Sequence, residues 1–147
     1  MKLMFVCTGN TCRSVMAEYI FKTMIQGDVE VCSAGMAAED GSSPSENTIE
    51  VCKSHGIDVS DHKSTNVANS NIEDMDLVLT LETSHRNTLR KRYPDLDIFT
   101  IKEFNDVDYI YDIDDPFMSD LNVYEATFNE IKESLDKIDK NKFLKYD

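Results

Sequence analysis

Residues 2–14 read Lys2-Leu3-Met4-Phe5-Val6-Cys7-Thr8-Gly9-Asn10-Thr11-Cys12-Arg13-Ser14. The apolar run Leu3 to Val6 suits a fully buried strand. A short polar loop containing Gly9 follows it at once, and a helical pattern begins at Ser14. A buried strand, a tight loop and a helix N-terminus together make an anion site. This loop has a thiol at its entrance and a guanidinium at its exit, a combination that suggests covalent chemistry on a phosphate. The competing reading is a structural thiol beside a surface arginine, because Cys-x5-Arg alone is a weak pattern. Its position between a buried strand and a helix is what gives it weight. A nucleotide-binding loop is rejected, since G-x-x-x-x-G-K-[ST] needs a second Gly and a Lys that the loop Cys7–Ser14 lacks.

Outward from this stretch, strand and helix patterns alternate, which predicts an α/β fold with a parallel sheet. Ser14–Gln26 is expected to be a helix, with Ala17, Ile20, Phe21 and Met24 on one face. Val29–Cys32 reads as a strand closed by Ser33-Ala34-Gly35. Ser43-Pro44-Ser45-Glu46 reads as a helix start, with a capping box and Pro at the first helical position. A short helix is expected over 66–73, a third strand over 76–81 and a helix over 83–93 that Pro94 stops. Ile98–Ile101 is expected to be a fourth strand and 103–115 an acidic loop. The last helix is expected over 121–141, with Tyr124, Phe128, Ile131, Leu135 and Ile138 aligned. Ligands of such sheets bind beyond the carboxyl ends of the strands. The loop at Cys7 and the acidic loop after the fourth strand both lie there, so Asp115 comes within reach of Cys7.

The 147 residues fit one domain, expected to span 1–147. A net charge of −13 argues against non-specific nucleic-acid binding and against anionic membrane surfaces. No apolar run is long enough to span a membrane and no secretion signal is evident, so a cytoplasmic location is expected. None of the four cysteines forms Cys-x-x-Cys or pairs with His at zinc spacing, so no metal is expected. Cys32 and Cys52 read as small buried hydrophobes.

Each loop residue has a physical role on this reading. Cys7 is the candidate nucleophile; a helix N-terminus and the Arg13 cation both favour its thiolate. Ser14 can donate a hydrogen bond to that thiolate. Arg13 can grip two phosphate oxygens at once. Gly9 lets backbone approach an anion, and Asn10 tolerates a left-handed conformation and can brace the loop. Asp115, just before Pro116, is the candidate general acid for the leaving group and then base for the attacking water. An Asp-Pro turn without chemistry is the competing reading of Asp115. Cys12 shares the loop with Cys7, so it is either a redox partner of Cys7 or a small buried thiol. Asp106, Asp108, Asp112, Asp114 and Asp115 form either a solvated acidic loop or a selector for basic surroundings.

These residues resemble the low-molecular-weight protein-tyrosine phosphatases. The resemblance rests on Cys7–Ser14 after a first strand, Ser33-Ala34-Gly35 after the second, and Asp115-Pro116-Phe117 before the last helix. It implies a single-domain four-stranded parallel sheet flanked by helices on both faces, and hydrolysis through a phosphocysteine without metal or cofactor. It also implies phosphorylated protein substrates and a monomer. By position, Cys7, Arg13 and Asp115 are implied to be catalytic. Thr8, Gly9, Asn10, Thr11, Cys12, Ser14 and Phe117 are implied to bind substrate, and Asn10, Ser14, Ser33 and His62 to support the loop. A solvated His62 and a core-anchoring Phe117 remain the plain alternatives.

Within that family the sequence is more similar to the bacterial protein-arginine phosphatases, which share Thr at position 11 and a single aromatic after Asp-Pro. A hydroxyl there can orient a guanidinium, whereas an aliphatic wall better suits a phenol. Arsenate reductase activity is not expected, because residues 75–95 contain no cysteine. A catalytically silent phosphate-binding module is opposed by the intact Cys7, Arg13 and Asp115. Val15 replaces a usual Pro, which should loosen the helix start. Met118-Ser119-Asp120 replaces a Gly-rich turn beside the pocket.

Overall fold

Strand β1, Lys2–Cys7, is buried on both faces: Leu3, Met4, Phe5 and Val6 are at most 1% exposed. Alternation sends Leu3 and Phe5 to one side and Met4 and Val6 to the other. Each side meets its own apolar cluster. Such a strand belongs inside a parallel sheet. The computed structural model describes residues 1–25, 27–107 and 110–147. Gln26 and Asp108, which the expected first helix and acidic cluster included, lie outside the described residues.

In chain order, helix α1 is Arg13–Met24, β2 is Glu30–Gly35, and α2 is Glu46–Ser54. Strand β3 is Leu77–Thr80, α3 is Thr83–Arg92, and β4 is Asp97–Thr100. Helix α4 is Ile101–Phe104 and α5 is Leu121–Asp136. The four strands are parallel in the order β2-β1-β3-β4. Residues of α1, α2 and α5 cover the Leu3 and Phe5 face. Leu89 of α3, with Val67 and Ile72 of two 3-10 turns, covers the Met4 and Val6 face. The fold is therefore α/β with helices on both faces. The chain runs from β1 outward to β2, then crosses back past β1 to β3. Connections leaving β1 and β3 therefore diverge, and a crevice opens at the carboxyl end of β1, where Cys7 stands. Val15, Met16, Ile20 and Phe21 bury α1 against the sheet. At about 1.5–3 kcal/mol for each such side chain, they fix the helix that closes the Cys7 loop.

Several local expectations are corrected. Ser33-Ala34-Gly35 does not close β2 but continues it, pairing with Phe5, Val6 and Cys7. Helix α2 starts later than the sequence pattern predicts. Its cap is Ser45, whose hydroxyl accepts from Thr48 N at 3.2 Å, and Pro44 precedes the cap. Ser45 N donates to Thr11 O at 3.1 Å, which holds Ser45 extended and leaves no room for a turn begun at Ser43. The capping box occurs instead at Thr100 and Glu103, where it starts α4 inside the expected acidic loop. The short helix expected over 66–73 is two 3-10 turns, the first capped by Asn66. Helix α5 ends at Asp136, and the Asp139 carboxylate caps a separate 3-10 segment, Lys140–Tyr146. Among the described residues no helix is long and apolar enough to cross a membrane.

Gly35 marks where β2 meets the Cys7 loop. A Cβ there would lie 2.5 Å from Thr8 O and 2.9 Å from Asn10 N, both backbone atoms. Neither can swing aside as a side-chain end would. Gly35→Ala should cost about 1–3 kcal/mol, read as a lower urea midpoint, and should lower any activity of the loop in parallel.

Candidate active site

The loop between β1 and α1 turns at Asn10, which is fully buried with φ 55. A left-handed residue turns successive N–H groups toward one point, and the N–H groups of Asn10 and Ser14 face the Cys7 sulfur. The Asn10 amide is fixed by its neighbours. Its Oδ1 accepts from Thr65 N at 3.0 Å, so its Nδ2 must be the end that donates, to Ser14 Oγ at 2.8 Å and Ser33 Oγ at 2.9 Å. Ser14, having accepted from Asn10, has its own proton for Cys7 Sγ at 2.9 Å. Ser33 passes its proton to Glu18 Oε1 at 2.6 Å. His62 Nε2 donates to Asn10 Oδ1 at 3.2 Å, and Ser64 Oγ donates to Asn10 O at 2.8 Å. Asn10, Ser14, Ser33 and His62 thus form one network around the thiol. His62 is buried beneath the loop rather than solvated. Burial pulls its pKa below the ordinary value, against the upward pull of Glu18.

Burial also pushes the Cys7 thiol above its ordinary pKa. The Ser14 hydroxyl, the Arg13 charge and the N–H groups of Ser14 and Asn10 all pull the other way. Desolvation outweighs the activation that the sequence pattern predicts, because β1 ends inside the protein and Cys7 is 3% exposed.

Arg13 is 2% exposed and held at both ends. Its Nη1 donates to Ile113 O at 2.8 Å, and its Nη2 to Thr8 Oγ1 at 3.4 Å. The Nη2 also lies 3.6 Å from Asp115 Oδ2 and 3.7 Å from Glu82 Oε1. Ile113 is the device that brings Asp115 here. Its N–H donates to Leu81 O at 2.8 Å at the end of β3, its side chain is fully buried, and its carbonyl meets Arg13. Asp115, two residues on, stands at the crevice with its side chain 44% exposed. Its Oδ1 accepts from Phe117 N at 3.0 Å, which fixes the carboxylate. Phe117 is 65% exposed and so is no core anchor. Met118 adopts φ 66, the conformation a glycine turn would supply.

The remaining loop residues sit as follows. Gly9 has only Thr11 Oγ1 near its missing Cβ, at 3.6 Å, so protein packing does not itself require glycine there. Thr11 is half-buried, its hydroxyl 3.7 Å from Cys12 Sγ. Cys12 is a buried free thiol, 3.5 Å from the Tyr124 hydroxyl and 3.6 Å from Ser45 Oγ. Burial and the Cys12 contact push Tyr124 up to about 12. The acidic cluster does not act as one patch. The Asp112 carboxylate accepts from the Thr83 N–H and hydroxyl at the start of α3, and Asp106 pairs with Lys142 at 2.6 Å.

The sequence reading missed four contributors: Glu18, Ile113, Glu82 and His85. Glu18 had a signal: a carboxylate four residues after Ser14 on the apolar side of α1, paired with Lys22 one turn later. Ile113 had one too, as the apolar residue inside Asp112-Ile113-Asp114-Asp115. Glu82 and His85 had none that distinguishes them from the solvated start of a helix. Among the described residues no cluster of three His, Cys, Asp or Glu could hold a metal.

Removing the Ser14 hydroxyl removes a donor that stabilises the thiolate. In Ser14→Ala the pH midpoint for alkylation of Cys7 by iodoacetamide should move upward, because ionisation then needs a higher pH. An unmoved or lowered midpoint would show that Ser14 does not hold the thiolate.

Comparison with known proteins places this geometry. The sequence model of the low molecular weight phosphotyrosine protein phosphatases matches residues 2–145. The protein-arginine-phosphatase of Geobacillus stearothermophilus is 35% identical over 140 residues, covering 93% of each chain. The low molecular weight protein-tyrosine-phosphatase PtpB of Staphylococcus epidermidis is 34% identical over 139 residues, covering 94% of this chain and 96% of its own. Among solved structures, a C7S mutant of YwlE arginine phosphatase with a phosphorylated active site serine superposes with a TM-score of 0.88 at 33% identity. The match covers all of this chain and 97% of that one. The chain belongs to the low-molecular-weight protein phosphatase family.

Proposed function

We propose that this chain hydrolyses phosphorylated protein side chains through a phosphocysteine, and that its substrate is phosphoarginine. The observation that carries the mechanism is the convergence of three groups from distant parts of the sequence. The Cys7 sulfur receives a hydrogen bond from Ser14 at 2.9 Å, and the Arg13 Nη2 lies 3.6 Å from Asp115. The Cys7 thiolate attacks phosphorus and the P–N bond to the arginine side chain breaks. Protonated Asp115 gives its proton to the departing nitrogen. Water then attacks the phosphocysteine, the S–P bond breaks, and Asp115 takes the water proton as inorganic phosphate leaves. Arg13 and the loop N–H groups carry the negative charge of the transferring group. The relative with a phosphorylated active site serine supports the phosphocysteine step, since it carries phosphate on the side chain that replaces its cysteine.

Thr11 supports the choice of substrate. A short, half-buried hydroxyl at the loop rim leaves room for a flat polar guanidinium and can accept from it. A phosphotyrosine reading has its own support in Phe117, an exposed aromatic next to Asp115 that can stack on a phenol. Similarity does not separate them, since an arginine phosphatase and a tyrosine phosphatase match equally well.

Two measurements test these readings. Cys7→Ser should abolish turnover of an aryl phosphate, and Asp115→Asn should lower kcat by about 10²–10⁴-fold; activity surviving in Cys7→Ser would refute the mechanism. For the substrate, kcat/KM is compared for phosphoarginine and phosphotyrosine peptides. Wild type should favour phosphoarginine, and Thr11→Ile should shift the ratio toward phosphotyrosine by about 10-fold or more. A wild type that favours phosphotyrosine overturns the substrate assignment.

A further inference from the structure

Glu82 and His85 stand across the crevice from the Cys7 loop, at the start of α3. The His85 Nε2 lies 2.8 Å from Glu82 Oε1 and 3.2 Å from Thr8 Oγ1. Thr8 Oγ1 also receives the Arg13 Nη2 at 3.4 Å, and Glu82 Oε1 is 3.7 Å from that same nitrogen. The four residues close a ring around one edge of the phosphate clamp. The His85 ring is about nine-tenths buried, and its Nδ1 has no partner among the described residues.

The directions of these hydrogen bonds follow from the donor inventory. A carboxylate only accepts, so the nitrogen that faces Glu82 carries the proton. The unpartnered Nδ1 is then a bare lone pair. An imidazolium would instead bury an N–H with nothing to receive it. Burial and the Arg13 charge also hold His85 toward neutrality, against the pull of the Glu82, Asp112 and Asp115 carboxylates. The one Nε2 proton of a neutral His85 is shared between Glu82 Oε1, at 2.8 Å, and Thr8 Oγ1, at 3.2 Å, so toward Thr8 the ring can only donate. Arg13 too can only donate. The Thr8 oxygen therefore accepts from both, and its own proton has no claim on it from either neighbour.

We propose that Glu82 and His85 form a positioning pair that makes the Thr8 hydroxyl a donor to the bound phosphate. This inference rests on reading residues 7–14 as a phosphate-transfer loop. Without His85, the Thr8 hydroxyl is free to rotate. With it, the hydroxyl is an oriented donor one residue from the nucleophile. Glu82 orients the ring and faces Arg13 at ion-pair distance without occupying a hydrogen bond to it, so the Nη2 proton not directed at Thr8 remains available to the same phosphate. Neither Glu82 nor His85 touches the reacting atoms; both act through Thr8 and Arg13.

The test is a double-mutant cycle on the purified protein with an aryl phosphate as substrate and inorganic phosphate as competitive inhibitor. Thr8→Val keeps the shape of the side chain and removes the hydroxyl. It should lower kcat/KM and raise the inhibition constant for phosphate, each by about tenfold. His85→Ala should cost about as much, and the double variant should lose no more than the larger single loss, because both remove one oriented donor. His85→Gln, which restores an amide nitrogen near the Nε2 position, should recover most of what His85→Ala loses. Losses that multiply in the double variant, or a Thr8→Val protein with unchanged phosphate inhibition, would overturn the proposal. If His85→Ala fails to fold, the Thr8→Val inhibition constant and the His85→Gln turnover decide it in the same way. A wild type that neither turns over aryl phosphate nor is inhibited by phosphate overturns the phosphatase reading itself, and this inference with it.

Discussion

Asn10 has a left-handed backbone and a buried side chain bonded at both ends of its amide, and much of the site takes its direction from that one group. Thr65 N–H pins the oxygen, the two amide protons serve Ser14 and Ser33, and each serine passes a proton onward, one to Cys7 and one to Glu18. Flipping the amide would set Nδ2 against the Thr65 N–H and leave two serines without a donor. An unsatisfied buried polar group costs about 1–3 kcal/mol, so one orientation dominates. The loop is therefore held by the segments that meet Asn10. Residue 33 comes from β2, residues 62–65 from the connection before β3, and residue 18 from α1. Gly35 is the counterpart of this packing, since a side chain there would strike the Thr8 carbonyl.

The same constraint explains what could be read in the sequence. Leu3 to Val6 announced a doubly buried strand, and Cys7 to Ser14 announced the loop, because their chemistry is local: apolar run, thiol, glycine and guanidinium follow one another directly. The helices of the expected architecture appear near their predicted places for the same reason, since amphipathic spacing is a local signal. Part of what failed was set by distant partners, although the Thr100–Glu103 capping box and the Asp139 cap are local. Ser45 rather than Ser43 caps α2 because Thr11, more than 30 residues away, accepts its N–H. Ser33-Ala34-Gly35 stays in the sheet because β1 offers it a full-length edge. Glu18 and Ile113 left traces, as a charge on an apolar face and an apolar residue among acids. Glu82 and His85 left none, because a Glu and a His at a helix start are ordinary until the topology sets them beside Arg13.

Cys7, the proposed nucleophile, shows how local rules compete. A helix start and an arginine favour a thiolate, yet the same architecture buries the sulfur, and burial dominates its pKa. The Ser14 proton and the inward N–H groups matter because the sulfur has little water to help it. Fixed dipoles take over the role of solvent here, which is the condition under which preorganised donors are worth most.

Arg13 carries the remaining electrostatic argument. Two carboxylates stand 3.6 and 3.7 Å from its Nη2, close enough to balance its charge and too far to consume its hydrogen bonds. When a phosphate enters with Asp115 protonated for its proposed role as acid, one guanidinium still faces the phosphate charge and the Glu82 carboxylate, and the site holds an excess of negative charge. Water screens Asp115, whose side chain is 44% exposed, more than Glu82, at 27%. A leaving group that brings its own positive charge offsets that excess, and a neutral phenol does not. The guanidinium of phosphoarginine meets this requirement, and it does so at the rim where Thr11 offers a hydroxyl. On the proposed phosphoarginine reading, the electrostatics of the clamp and the hydroxyl at position 11 act in the same direction.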